Sequence, residues 1–307
     1  MNATAIDTIT NAFVDAMKTG AGALAQYSIP LLAIFALVSF YMQIGTLVAY
    51  GGGQVGDTLA ATLLHCLKIG IFYWLLVNFI ALAEAAFLTF LQWGIAPTGG
   101  GLSAATFMNP SAIIDLGFRA AAPLVQFMGN MGMWAKTFNP LTTLGFQLAY
   151  LAIILAFTGV ALHLMMVIIE FYLAVLVAMV MIPFGVLNPV AFFAEFSIGW
   201  ATGGLIRVLV TGAIVGIAIP LFDLVTFRTT PGGDPTFYSA LIVAIVSGIF
   251  LILSWVIPGR AAAIAGRGVS LALHGGTIMA GAASGARGVL LFTHAIRGAS
   301  SLLRRSI

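Results

Sequence analysis

The sequence predicts an all-α, polytopic membrane protein, and three observations carry that prediction. Hydrophobic residues fill 61% of the 307 positions and charged residues only 7%, against about a quarter charged in soluble domains. Apolar runs of bilayer-crossing length recur along the chain. Such a run must satisfy its backbone polar groups internally, which a helix does. The last 48 residues hold Arg260, Arg267, Arg287, Arg297, Arg304 and Arg305 and no acid. Cytoplasmic flanks collect basic residues, so this tail predicts a cytoplasmic C-terminus.

Residues 1–27 predict an amphipathic periplasmic helix. Ile6, Ile9, Phe13 and Met17 stand at helical spacing, with Asp7, Thr10 and Lys18 elsewhere around it. The helix either rests on the membrane surface or docks a partner through Ile6, Ile9 and Phe13. Asp7 and Asp15 occupy the place of a basic leader region, so no cleavable signal is expected. Residues 28–91 predict two transmembrane helices. The first runs from Ile29 to Ala49, entered through Pro30, and the second from Ile69 to Leu91, flanked by Lys68 and Trp93. Between them lies a Gly51-Gly52-Gly53 turn.

Residues 92–143 predict a periplasmic or interfacial loop region, broken by Gly99-Gly100-Gly101, Asn109-Pro110, Pro123 and Asn139-Pro140. Asn109 and Pro110 suit an N-cap and first helical position ahead of Ile113, Ile114, Phe118 and Ala121.

Residues 144–257 predict a three-helix transmembrane bundle. Its first segment, 144–188, would reach roughly 65 Å as a helix, about twice the hydrocarbon thickness. A hairpin would also fit that length, but the centre, from His163 to Tyr172, holds no turn residue. One long helix ending near Pro183 is expected, projecting beyond the bilayer. Spans from about Thr202 to Phe222 and from Phe237 to Ile257 follow. Five spans place the N-terminus in the periplasm, opposite the tail, with Lys68, Arg207 and Arg260 at cytoplasmic helix ends. Residues 258–307 form the basic cytoplasmic tail, in which Arg287, Arg297, Arg304 and Arg305 suit anionic lipid headgroups.

The motifs argue against an enzyme. Gly51 to Thr58 resembles a phosphate loop until Asp57 stands where the lysine should be, and Asp57 would repel phosphate. His65 and Cys66 are adjacent, so they cannot converge on a metal from a helix, and no paired metal spacing occurs. No nucleophile elbow is present. No cofactor, metal site or catalytic residue is expected, and the single Cys66 excludes an internal disulfide.

Three ionisable residues lie inside spans: Glu84 in the second, His163 and Glu170 in the third. Charge in hydrocarbon is costly, so each either lines an ion or proton path or makes a polar contact between helices. Gly199-x-x-x-Gly203 and Gly212-x-x-x-Gly216 allow close helix approach to an unspecified partner.

The order of parts is itself informative. An amphipathic helix precedes two spans, a Gly/Pro-broken loop and closely spaced later spans. The fourth span is introduced by Phe196-Ser-Ile-Gly199-Trp200, and the last closes with Trp255-Val-Ile-Pro258. Essentially the whole chain resembles the TrbL family of conjugative transfer proteins, the polytopic inner-membrane subunit of VirB-type type IV secretion systems. Gly199, Trp200, Trp255 and Pro258 carry the residue-level match.

The resemblance implies a non-enzymatic channel or scaffold component in the bacterial inner membrane. Such a component supports DNA or protein translocation and pilus biogenesis. Its implied partners are a minor pilin, a bitopic scaffold subunit and separate ATPases, with transient DNA or protein substrate and a homo-oligomer, guessed to be a pentamer. Two other readings are a proton- or ion-coupled solute transporter using Glu84, His163 and Glu170, and a holin-like pore, which the length disfavours.

Overall fold

The computed structural model describes residues 4–49, 55–98, 103–130, 140–229 and 236–266, and no strand occurs among them. The Gly51-Gly52-Gly53 turn and the tail arginines Arg287, Arg297, Arg304 and Arg305 lie outside the described residues. The helices are α1 (Thr4–Ala49), α2 (Val55–Ile95), α3 (Ala104–Phe107), α4 (Pro110–Asn130), α5 (Pro140–Met181), α6 (Phe192–Thr229) and α7 (Phe237–Gly266). Short 3-10 turns cover Ala96–Thr98, Ile182–Val186 and Asn188–Val190. By length and composition, six described helices could cross a membrane, all but α3.

The sequence reading expected five crossings. The addition is α4, inside the region read as loop. It turns Ile113, Gly117, Ala121 and Leu124 inward while Asp115 and Arg119 face out. Its charges therefore look like those of a surface helix although one whole face is packed. An even number of crossings puts both chain ends on one side, so the side of the N-terminus turns on whether α4 crosses.

The boundary expected near residue 27 is not a break. Helix α1 runs through Pro30 without interruption. A proline removes one intrahelical hydrogen bond, and neighbouring helices can absorb that loss in a bundle. A buried stripe of Val14, Met17, Ala21 and Leu32 continues on both sides of the expected boundary.

Helix α5 runs unbroken from Pro140 to Met181 and ends where Pro183 cannot donate to the next turn. Ile153, Val160, Leu164 and Ile168 on it are fully buried. A helix that is apolar all round belongs in the centre, and α5 is the axis of the bundle.

The neighbours of α5 divide into two tiers. Along its N-terminal half lie α4 and α7. Phe127 meets Phe146 at 5.3 Å, Gly117 sits against the Phe157 side chain, and Gly145 and Gly159 receive Phe237 and Leu251. Along its C-terminal half lie α1 and α2. Gly20 faces Leu176, and Phe87 meets Phe171 at 5.1 Å. Helix α6 runs antiparallel to α5 past both tiers, touching Phe157 through Phe222 (4.8 Å) and Phe171 at Gly204.

Candidate functional site

The polar side chains gather on the C-terminal tier and at its junction with the other. Glu84 of α2 is ion-paired with Lys18 of α1, Nζ to Oε1 at 2.8 Å. The same ammonium lies over the Tyr172 ring of α5, 5.5 Å from its centroid, where the ring's negative face attracts it. Glu170 of α5 is ion-paired with Arg207 of α6. One register holds both pairs, because Phe171 and Tyr172 of α5 both pack on Phe87 of α2.

Arg207 was expected at a cytoplasmic helix end, and it instead sits inside α6 as the countercharge of Glu170. Lys18 was expected on a surface helix, and it too faces protein. Neither pairing is visible in sequence, because each joins residues on different helices with no fixed spacing.

His163 does not join Glu170, although the two share a face of α5. Its ring packs on Trp255 of α7 at 5.5 Å, and Trp255 Nε1 donates to the Gly159 carbonyl at 3.3 Å. Trp255 thus ties α7 to α5. Pro258 and Gly199 are buried, while Trp200 is on the exposed side of α6.

One glycine of each pair now has a partner, while the Cβ position of Gly199 faces open space. Gly212 approaches Gly94 of α2, its added Cβ lying 3.5 Å from Gly94 Cα, and a Cβ on Gly94 would strike the Leu209 carbonyl. The two glycines let the α2 and α6 backbones touch. Gly203 meets Ala262 of α7 at ordinary contact distance.

A hydrogen-bonded cluster closes the break between α5 and α6. The Ser39 hydroxyl of α1 donates to the Val186 carbonyl at 3.2 Å and lies 3.1 Å from His65 Nε2 of α2. A proton on His65 Nε2 completes that chain, with Ser39 as acceptor. Lys68 Nζ donates to the same Val186 carbonyl (3.3 Å) and to Asn188 Oδ1 at 2.6 Å. A 3-10 turn inside a bundle leaves carbonyls unpaired, and here α1 and α2 supply the donors. Read from sequence, Lys68 was only a marker of a helix end. The one available clue was its nearness to His65.

At the other end of α1, Asp7 accepts from the Ser111 backbone N–H (2.9 Å) and from the Ser111 hydroxyl. It satisfies a donor in the first turn of α4, the role expected of Asn109, and its charge suits a helix N-terminus. Of the proposed docking residues, Ile9 and Phe13 are each 50% exposed and Ile6 is half-buried, while Thr10, Val14 and Met17 form the buried side. Among the described residues no group of three metal-binding side chains converges.

An all-helical bundle with apolar spans and ion pairs that join neighbouring helices defines a multi-pass membrane protein. Comparison with protein families sharpens that class. The TrbL/VirB6 plasmid conjugal transfer protein model matches residues 37–257, more than two thirds of the chain. The chain belongs to that family, and it is a component of a conjugal transfer, or type IV secretion, system that works with other subunits of that system. The curated proteins give no match. Glu84, His163, Glu170, Arg207, Trp200 and Trp255 fall inside the matched region, and Lys18 lies outside it.

Proposed function

We propose that this chain is an inner-membrane channel or scaffold subunit that helps pass DNA or protein substrate and supports pilus biogenesis. The family match across 37–257 carries this reading. Separate ATPase subunits supply the energy, and this chain does no covalent chemistry. It assembles as a homo-oligomer, a pentamer by analogy with a central stalk. It meets a minor pilin and a bitopic scaffold subunit through its N-terminal helix and the 92–143 region. The exposure of Ile9 and Phe13, with the opposite face of α1 packed, suits the first of these contacts.

The alternative of a proton- or ion-coupled transporter would use Glu84 and Glu170 as coupling groups. Each is already neutralised by a base on a neighbouring helix, which fits interhelical fastening better than ion binding. The discriminating experiment is Ile9→Asp with Phe13→Asp in the full system. The expected result is normal membrane insertion, lost co-purification with pilin or scaffold subunits and lost transfer. Normal assembly and transfer in that variant would refute the docking role of α1.

A further inference from the structure

Two rings of α5 fix α4 and α7 at one depth. The Phe157 side chain receives Gly117 of α4 and lies 6.0 Å from Phe250 of α7. The Phe146 ring lies 5.3 Å from Phe127 of α4 and 6.3 Å from Phe237 of α7. Residues 117–127 of α4 are therefore level with residues 237–250 of α7.

At that depth the outer faces differ in chemistry. Helix α7 carries no charged residue from Phe237 to Ile257 and exposes Leu241, Ile245 and Ile249. The adjoining stretch of α5 exposes Leu148, Leu151 and Leu155. Helix α4 exposes Asp115, Arg119, Gln126 and Asn130 instead. Spacings of four, seven and four put these on one stripe, opposite the packed Ile113, Gly117, Ala121 and Leu124. Hydrocarbon suits the first two faces and not the third. Because Gly117 is level with Phe250, Arg119 lies roughly 10 Å inside the Ile257 end of the α7 span. That is too deep for a headgroup position. The 21 residues of α4 are long enough to cross.

We propose that α4 crosses the bilayer and that its Asp115, Arg119, Gln126 and Asn130 stripe lines a water-filled path enclosed by copies of this chain. A lone copy would turn the stripe toward lipid, where a charge is costly unless it faces protein or a wet cavity. A closed ring of copies, each with α4 toward the axis, separates the water from the lipid. The stripe holds one charge of each sign, so it keeps water without selecting cargo by charge. The proposal deepens the channel reading and rests on it for the assembly of copies. The pilin and scaffold contacts proposed for 92–143 then fall outside residues 110–130.

The test places single cysteines in a Cys66→Ser background, in cells that carry the whole secretion system. Ala122→Cys and Gln126→Cys report on the stripe and keep both of its charges. Ile245→Cys and Ile249→Cys report on α7 at the same depth. A charged, membrane-impermeant thiosulfonate reacts with thiolates, so in isolated membranes it should modify the two α4 positions at least about tenfold faster than the two α7 positions. Asp115→Leu with Arg119→Leu, which makes the stripe apolar, should slow Gln126→Cys while Ile249→Cys keeps its rate. Equal rates at all four positions would overturn the proposal, because the whole tier would then be either in water or sealed. So would fast modification of α4 in the detergent-dispersed chain that disappears in membranes, since lipid or a neighbouring copy would then cover the stripe. DNA transfer by the same cells reports separately on the secretion reading. A dry stripe with normal transfer removes the path alone.

Discussion

The two halves of α5 are fastened by different chemistry. The N-terminal half meets α4, α6 and α7 through aromatic rings: Phe146 with Phe127 and Phe237, and Phe157 with Phe222 and Phe250. The C-terminal half and the turn after it meet α1, α2 and α6 through polar links. These are the Lys18–Glu84 and Glu170–Arg207 pairs and the donors Ser39 and Lys68 on Val186. In lipid, apolar packing gains little from leaving the solvent, so shape and dispersion hold the first half. Charges and unpaired carbonyls cannot face hydrocarbon, so they dictate the second half's neighbours more narrowly. One tier leans on fit, with Trp255 on the Gly159 carbonyl as its interhelical hydrogen bond, and the other adds ion pairs and satisfied carbonyls to the packing of Phe87 on Phe171 and Tyr172.

The sharpest way to break this contrast is to open the aromatic tier. Phe157→Ala removes a ring that touches Gly117, Phe222 and Phe250. It should cost about 3–5 kcal/mol, the range for a buried Phe, read as a lower unfolding midpoint in detergent. Phe157→Leu should recover most of that loss, because shape and volume are what this tier requires.

The polar tier should respond to charge rather than volume. Glu170→Ala leaves Arg207 without its countercharge and should cost about 1–3 kcal/mol, less than a fully buried pair because both side chains are about a third exposed. Exchanging the two, Glu170→Arg with Arg207→Glu, should restore much of the stability. If Glu170→Gln keeps transfer largely intact while Glu170→Ala lowers assembly, the residue fastens helices. Loss of transfer in Glu170→Gln at normal assembly would point to a charge-dependent path.

The smallest of these effects is expected at the break between α5 and α6. Lys68→Met keeps the aliphatic stem and removes the donor to Val186 and Asn188. Ser39 still donates to the same carbonyl, so the loss should be about 1 kcal/mol. Faster amide exchange confined to the 182–190 turn, with little change elsewhere, is the expected signature. A global loss of protection would show that this turn is coupled to the whole bundle.

Local sequence determined a great deal about this protein. Long apolar runs make helices because lipid offers the backbone no other partner, so the spans and the unbroken course of α5 could be read from hydropathy and missing turn residues. The Trp255 and Pro258 context was legible enough to suggest the family. Other features depended on pairs distant in sequence. Lys18 finding Glu84, Glu170 finding Arg207 and Gly212 finding Gly94 follow from which helices lie side by side and in what register. Asp7 reaching Ser111 has the same origin, and so does the packed face of α4, which lies in a region whose Gly and Pro breaks suggested a loop. Hydropathy and helical spacing are properties of one segment, whereas pairing is a property of two. Only the tertiary arrangement decided which ionisable groups were partners.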